Sequence, residues 1–302
     1  LYLAPAIILL LIFTVWPIIN TVRISLLVDY NSTAAAGGQV FELGFGNFTK
    51  VVKYRGFIEC LSNTMILCVL TVPISTFLAL LIAVCLNSIK PLNRLLQTIY
   101  FLPYVTNSIA IGMVFAAMFN IVGYNNSNIM DSTSLGIINN IIGVFGAEPI
   151  NWISQGSSRA ANIAVLVIYI VWNALPFKIL ILLGGLQSVN KQYYEAAKVD
   201  GTSKARVFWR ITVPLLSPMI AYVVITGFIG GFKEYSSVVG IFGEDMQAVG
   251  TNHTMKTMVG YIYQSIIDGG QGRASAAALI LFGIILVVTL INLYVSKKKV
   301  HY

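Results

Sequence analysis

The chain has little charge and few of the residues that build catalytic or metal sites. Only 10% of its 302 residues are Asp, Glu, Lys or Arg, whereas soluble domains carry about 25%. Its two histidines and three cysteines form no Ser/His/Asp set and no cluster with metal-ligand spacing. We therefore exclude a soluble globular domain, and we expect neither an enzyme nor a catalytic, cofactor-binding or metal site.

Apolar residues are what the chain has in abundance. They make up 57% of it, and the mean hydropathy is +0.81. A membrane-spanning helix needs about 20 apolar residues, and helices are expected because lipid offers no hydrogen-bond partner to an open backbone group. The sequence predicts one all-α integral membrane domain over residues 1–302, with six spans at approximately 3–22, 64–86, 97–119, 161–186, 213–240 and 274–295.

The distribution of Lys and Arg predicts the orientation of these spans. With the N-terminus inside, the cytoplasmic segments carry ten basic and two acidic residues, whereas the external segments carry seven basic and eight acidic residues. Because basic residues are enriched in cytoplasmic loops, both termini are expected in the cytoplasm. The net charge of +8 follows from this topology and requires no nucleic acid. The chain begins at Leu1 without an initiator Met, which we read as a trimmed start rather than a cleaved signal peptide.

The segment 188–212 is a polar insertion between two predicted spans. Asn190 is suited to cap a short helix that ends near Asp200. Gly201 then permits a turn that a residue with a Cβ would resist. A second helix is predicted to begin at Thr202 or Ser203. The segment should therefore form a two-helix elbow that projects from the membrane.

Another protein can approach this elbow closely at its small residues. Ala196 and Ala197 present little side chain, and Glu195 offers a charge-assisted contact to a basic partner. The alternative is a solvated amphipathic loop that lies on the membrane surface.

Nine residues of this region closely resemble the coupling loop of bacterial ABC importer permeases. They are Glu195, Ala196, Ala197, Asp200, Gly201, Phe208, Ile211, Pro214 and Pro218. The flanking sequence resembles the carbohydrate (maltose-type) branch, with an F-L-P-Y-V segment that begins at Phe101 and a Gly-Gly-Leu-Gln-Ser run that begins at Gly184. The apolar span followed by Lys297 to Lys299 is similar to the first permease of a sugar-importer pair.

The resemblance implies a type I ABC importer permease fold in the bacterial cytoplasmic membrane, with segment 188–212 as the cytoplasmic coupling loop. It also implies three kinds of protein partner: a second homologous permease, two cytoplasmic nucleotide-binding subunits and an extracytoplasmic solute-binding protein. The sequence contains no Walker-type G-x-x-x-x-G-K-[ST]. ATP would therefore be bound by the partner ATPase subunits, and the cargo would be a carbohydrate, such as a small oligosaccharide.

Ionisable residues inside the apolar runs are candidates for the translocation path. Such residues are costly in a membrane unless they face a cavity or a partner, and aromatic residues nearby can stack on sugar rings. The candidates are Tyr104, Trp172, Tyr222, Lys233, Glu234 and Tyr235. The alternative for the charged residues is snorkelling or an interhelical contact, and this is the interpretation we favour for Lys178. Gly227, Gly230 and Gly231 predict a face for close packing against the second permease.

The resemblance leaves the substrate open. Sugar permeases often carry an aromatic-Asp pair and then a T-x-G-G-P turn after the start of the fifth span, whereas this chain has Tyr235-Ser236 and later Gly240-Ile241-Phe242-Gly243. The intramembrane lysines leave room for an anionic solute such as a sugar phosphate or a uronide. An ion-coupled secondary transporter remains an alternative, although Glu234 is the one intramembrane carboxylate and we find no internal repeat.

Overall fold

The computed structural model describes residues 2–89, 93–122 and 134–299, which form helices joined by loops, with no β-sheet in that part of the chain. The helices are α1 (Ala4–Leu26), α2 (Ser32–Ala36), α3 (Gly46–Lys53), α4 (Arg55–Ser88), α5 (Asn93–Val105), α6 (Ser108–Phe119), α7 (Gly136–Val144), α8 (Arg159–Ser188), α9 (Gln192–Val199), α10 (Lys204–Leu215), α11 (Ser217–Phe232), α12 (Ser236–Phe242), α13 (Met258–Ile267) and α14 (Gln271–Lys299).

Four of the described helices are long and apolar enough to cross a membrane, namely α1, α4, α8 and α14. A fifth crossing results if α10 and α11 are taken together, although this pair is bent by 69°. Pro218 accounts for the break, because proline has no N–H with which to continue the preceding helix. It lies in the first turn of α11, where a missing N–H costs least. These five correspond to the predicted spans at 3–22, 64–86, 161–186, 213–240 and 274–295.

The predicted third span at 97–119 is wrong as a continuous helix. The structure divides it into α5 and α6, because Asn107 adopts an extended backbone (ψ 120°) and its side-chain oxygen accepts hydrogen bonds from the N–H groups of Ile109 and Ala110. An Asn at this position caps a new helix instead of continuing the old one. The predicted count of six spans is therefore not confirmed.

The predicted fifth span also ends earlier than the sequence suggests. Helix α11 stops at Phe232, and α12 begins only at Ser236. Lys233 is the C-terminal cap of α11, and a carboxylate oxygen of Glu234 accepts a hydrogen bond from the backbone N–H of Ser237 at 3.1 Å. Both charged residues thus lie in a turn and not in the middle of a helix.

The chain forms two compact units. The first comprises residues 1–64 and 256–286. In this unit Asn47 of α3 stabilises the end of α1. It is fully buried, and its side-chain amide donates to the carbonyls of Ser25 and Leu27. In the same unit the hydroxyl of Thr64 accepts from the N–H of Met258.

The second unit comprises residues 65–255 and 287–302 and contains two apolar clusters. The Tyr169 cluster consists of buried residues that include Leu67, Leu166, Tyr169, Val238 and Met255. The Leu182 cluster consists of buried residues that include Ala79, Ile179, Leu182, Leu216 and Val223. Helices α4, α8 and α11 meet in this unit, and the candidate site lies among them. The extent of the predicted single domain, 1–302, stays a prediction.

Candidate functional site

The polar segment between α8 and α11 folds as a two-helix elbow, as the sequence predicts. The side-chain oxygen of Asn190 accepts from the N–H of Gln192 at 3.0 Å, next to the first turn of α9. The second helix, α10, begins at Lys204, and Ser203 precedes it in an extended conformation. The phenol of Tyr194 lies 3.4 Å from the hydroxyl of Thr212 and so links the two helices.

Gly201 makes the turn of the elbow. Its φ is +64°, a left-handed conformation that favours glycine. The N–H of Thr202 donates to the carbonyl of Ala197, and the N–H of Gly201 donates to the carbonyl of Lys198. These two bonds form a Schellman motif, which satisfies the last carbonyls of α9. The position faces open space, with no atom within 4 Å of where a Cβ would lie.

The residues predicted for the coupling loop differ in their exposure. Glu195, Ala196 and Asp200 are exposed, whereas Ala197 is buried within the chain at 5% exposure. Ala196 is therefore accessible at the surface, and the approach of a partner to both alanines stays a prediction. Phe208 is half-buried and packs against the Leu182 cluster.

A depression of about 480 Å³ opens on the surface of the elbow. It is lined by Asn190, Gln192, Tyr193, Ala196, Ala197, Asp200, Thr202 and Ile211. Its walls combine amide, hydroxyl and carboxylate groups with small side chains. It therefore offers a place into which side chains of another protein can fit.

A second cavity, of about 280 Å³, lies among α4, α8 and α11. It is lined by Thr71, Val72, Ser75, Tyr104, Ile170, Asn173, Ala174, Phe177, Lys178, Val223, Thr226, Gly227, Gly230, Gly231 and Glu234. The rings of Tyr104 and Phe177 stack at 5.8 Å between centroids. Hydroxyl, amide, aromatic and charged groups thus converge on one space, as in sites for polar small molecules.

The cavity contains only two of the six residues predicted for the translocation path. Tyr104 and Glu234 line it. Trp172 and Tyr235 are half-buried and pack against the Tyr169 cluster. Tyr222 and Lys233 are exposed and lie outside the cavity. These four residues do not line this cavity, which the sequence could not show because it does not set the rotation of each helix about its axis, and their place along the translocation path stays a prediction.

Lys178 lines the cavity, although it is not among the six residues predicted for the translocation path. It is 5% exposed, so it does not snorkel, and its ammonium group donates to the hydroxyls of Ser75 (2.7 Å) and Thr76 (3.0 Å) and to the carbonyl of Val72 (3.3 Å). These contacts are interhelical, as the favoured interpretation has it, but the residue also lines the cavity. The adjacent hydroxyls at 75 and 76 in an apolar helix were a signal of such a partner.

The glycines of α11 pack inside the chain. A Cβ on Gly227 would lie 3.1 Å from Val72, and a Cβ on Gly231 would lie 2.9 Å from the sulfur of Cys68, so this face is occupied by α4. The prediction that these two glycines pack against a second permease is therefore wrong. Gly230 has no atom within 4 Å of a Cβ position and lines the cavity.

Metal-binding groups are not apparent in the described ranges, where no cluster of three or more His, Cys, Asp or Glu residues is positioned to hold an ion.

Several known proteins are similar to this chain. The sequence pattern of the family described as binding-protein-dependent transport system inner membrane component matches residues 72–301. The chain is 29% identical to the arabinooligosaccharides transport system permease protein AraP of Bacillus subtilis (strain 168), over 98% of this chain and 87% of that protein. It is 30% identical to AraP of Halalkalibacterium halodurans, over 85% and 76% of the two chains.

A solved structure also matches over nearly the whole chain. It is the crystal structure of a bacterial ABC transporter involved in the import of the acidic polysaccharide alginate, with a TM-score of 0.75 at 22% identity over 98% of this chain and 94% of that chain. At this identity the match establishes a common fold.

Proposed function

Because the chain belongs to the family of binding-protein-dependent transport system inner membrane components and has the type I ABC importer permease fold, we propose that it is the membrane subunit of an ATP-driven carbohydrate importer. Its cargo is a carbohydrate, such as a small oligosaccharide, as in the relatives named for arabinooligosaccharides. The chain works in the bacterial plasma membrane with both termini in the cytoplasm, which is supported by the excess of Lys and Arg in the predicted cytoplasmic segments.

The observation that carries this proposal is the direct connection between elbow and cavity. Helix α10 of the elbow continues through the 69° bend into α11, and α11 lines the cavity through Gly227, Gly230 and Gly231. A displacement of the elbow is therefore passed along one stretch of chain to the cavity wall. Such a connection is compatible with alternating access by rigid-body motion.

The partners follow from what this chain does not encode. ATP is bound by two nucleotide-binding subunits that receive the elbow at Glu195, Ala196, Asp200 and Gly201, and this chain itself holds no cofactor and carries out no catalysis. A second homologous permease completes the pathway, and an extracytoplasmic solute-binding protein delivers the cargo. Glu195 and Ala196 are exposed, as contact with a nucleotide-binding subunit requires.

Blocking the cavity tests the proposed pathway. Gly230→Trp places an indole in the cavity without a steric clash at the Cβ, so uptake should fall at least tenfold at normal membrane levels, which is about 1.4 kcal/mol. Gly184→Trp is the matched control, because Gly184 is also a helical glycine in open space but lies outside the cavity. Equal uptake by the two variants would count against this cavity as the path.

The alternative is an ion-coupled secondary transporter. It predicts uptake that stops when the ion gradient is collapsed and continues without ATP. The proposed importer predicts the reverse in proteoliposomes loaded with ATP. Co-purification of the chain with an ATPase subunit from its native membrane gives an independent decision between the two.

A further inference from the structure

Lys178 places a positive charge in the wall of the cavity. Within residues 2–89, 93–122 and 134–299, no carboxylate lies within ion-pair distance of its ammonium group. All three of its hydrogen-bond acceptors are neutral oxygens. A buried charge in an apolar environment is costly unless a counter-charge or a polar ligand reaches it. The site is therefore suited to a ligand that brings a negative charge.

One of the three contacts of Lys178 can be replaced by a ligand. The bond to the carbonyl of Val72 is the longest, at 3.3 Å, and the hydroxyl of Thr76 already donates to the same carbonyl at 2.7 Å. An anionic oxygen can therefore take over the third N–H of the ammonium group without leaving a carbonyl unsatisfied. The two hydroxyl contacts, to Ser75 and Thr76, would continue to hold the lysine.

The rest of the cavity fits a hydroxyl-bearing ring. The carboxylate of Glu234 can accept hydrogen bonds from hydroxyl groups, and the stacked rings of Tyr104 and Phe177 offer an aromatic surface. Asn173 and Thr226 add an amide and a hydroxyl to the wall. A ligand with several hydroxyl groups and one acidic group complements this lining.

We propose that this cavity selects an acidic saccharide, such as an oligosaccharide that contains a uronate, and that the acidic group binds at Lys178. This inference rests on the proposed function, because it names the class of carbohydrate that the importer carries. It goes beyond that function by assigning Lys178 as a specificity-determining residue.

The test compares matched acidic and neutral disaccharides. The chain is reconstituted with its partner subunits and binding protein in proteoliposomes, and uptake of digalacturonate and galactobiose, and of the equivalent glucuronate and glucose pair, is measured. The wild type should prefer at least one acidic member over its neutral counterpart. Lys178→Met should reduce uptake of that acidic sugar at least tenfold and leave uptake of the neutral one unchanged.

Two further variants keep the test decisive. Lys178→Arg retains the charge and should retain the preference, which also covers the case in which Lys178→Met does not assemble. Lys297→Met is the matched control, since Lys297 is exposed, lies outside the cavity and is not among the predicted path residues, and it should behave as the wild type.

The outcomes separate this inference from the proposed function. A wild type that prefers the neutral member of both pairs, or a Lys178→Met variant that keeps the acidic preference, would overturn the inference and leave the importer intact. Failure of an assembled complex to move any carbohydrate would instead count against the proposed function.

Discussion

Gly201 allows backbone strain to be separated from steric contact. Its φ is +64° and its surroundings are open, so a side chain there meets no atom and changes only the backbone preference. A β-branched residue in this conformation is strained by about 1–3 kcal/mol. Gly201→Val should insert normally into the membrane and yet reduce uptake several-fold, because the elbow turn is deformed.

Asn provides the control for Gly201, because it tolerates the left-handed conformation better than any β-branched residue. Gly201→Asn should therefore retain most of the uptake. Immunoblots of membrane fractions and uptake assays measure both variants. Wild-type uptake by Gly201→Val at normal levels would be evidence against a role for the turn in coupling.

Glu234 and Lys233 are neighbours in sequence but differ in position. Glu234 lines the cavity, whereas Lys233 is exposed at the end of α11. Glu234→Gln keeps an acceptor for the N–H of Ser237 and removes the charge, so it should change the apparent affinity for substrate several-fold at unchanged protein level. Lys233→Met should leave uptake kinetics as they are. If Glu234→Gln lowers only the melting temperature, Glu234 has a structural role alone.

At the candidate site, residue type could be predicted from the sequence, but the direction in which each helical side chain faces could not. Tyr104 and Glu234 were predicted from their type, and Trp172 and Tyr235 were predicted for the same reason but pack in the Tyr169 cluster. Aromatic side chains look alike in sequence whether they face a core or a cavity. In a helix that is apolar on every side, no amphipathic pattern gives its rotation, so the assignment needed the structure.

Helices α6 and α12 approach each other closely at Gly112 and Gly240. A Cβ on Gly240 would lie 2.9 Å from the Cα of Gly112, and a Cβ on Gly112 would lie 2.8 Å from the Cα of Gly240. Backbone atoms cannot move aside as a flexible side chain can. Gly240→Ala should therefore destabilise the protein by about 1–3 kcal/mol.

A glycine-to-alanine substitution in the preceding helix, α11, should instead stabilise the protein. Gly230 lies inside α11 with open space around it, so Gly230→Ala gains up to about 1 kcal/mol of helix propensity and meets no atom. Thermal unfolding of the purified protein in detergent compares the two variants. Equal melting temperatures would show that α6 and α12 do not make the close contact.

Element boundaries were predictable where polar and turn-forming residues interrupt the apolar runs. The elbow follows from Asn190 and Gly201, and its helices begin and end within a few residues of the predicted positions. The break at Asn107 was missed because a single Asn in an apolar run is compatible with a continuous helix. Its capping role depends on the backbone conformation that the fold imposes.

For the assembled transporter, the exposed elbow makes a prediction about partner binding. Glu195 is exposed on α9, so Glu195→Lys should reverse a charge at the interface without disturbing the fold. Co-purification of the ATPase subunit should weaken at least tenfold, since a charge-assisted contact is lost and a like charge is introduced.

Glu244 provides the control for this charge reversal, because it is exposed in a loop predicted to be external. Glu244→Lys should therefore co-purify with the ATPase as the wild type does. Equal retention of the ATPase by both variants would place the interface away from α9.

Gly230 also bears on how such a pathway can diversify. It lines the cavity from within a regular helix, and no atom lies within 4 Å of where its Cβ would be, so there is room for a side chain. Single-base changes in a glycine codon yield alanine, serine or valine, so one mutation can resize the cavity or add a hydroxyl to it while the helix remains intact. After gene duplication, one copy can therefore take a first mutational step toward a new cargo while its protein product still folds.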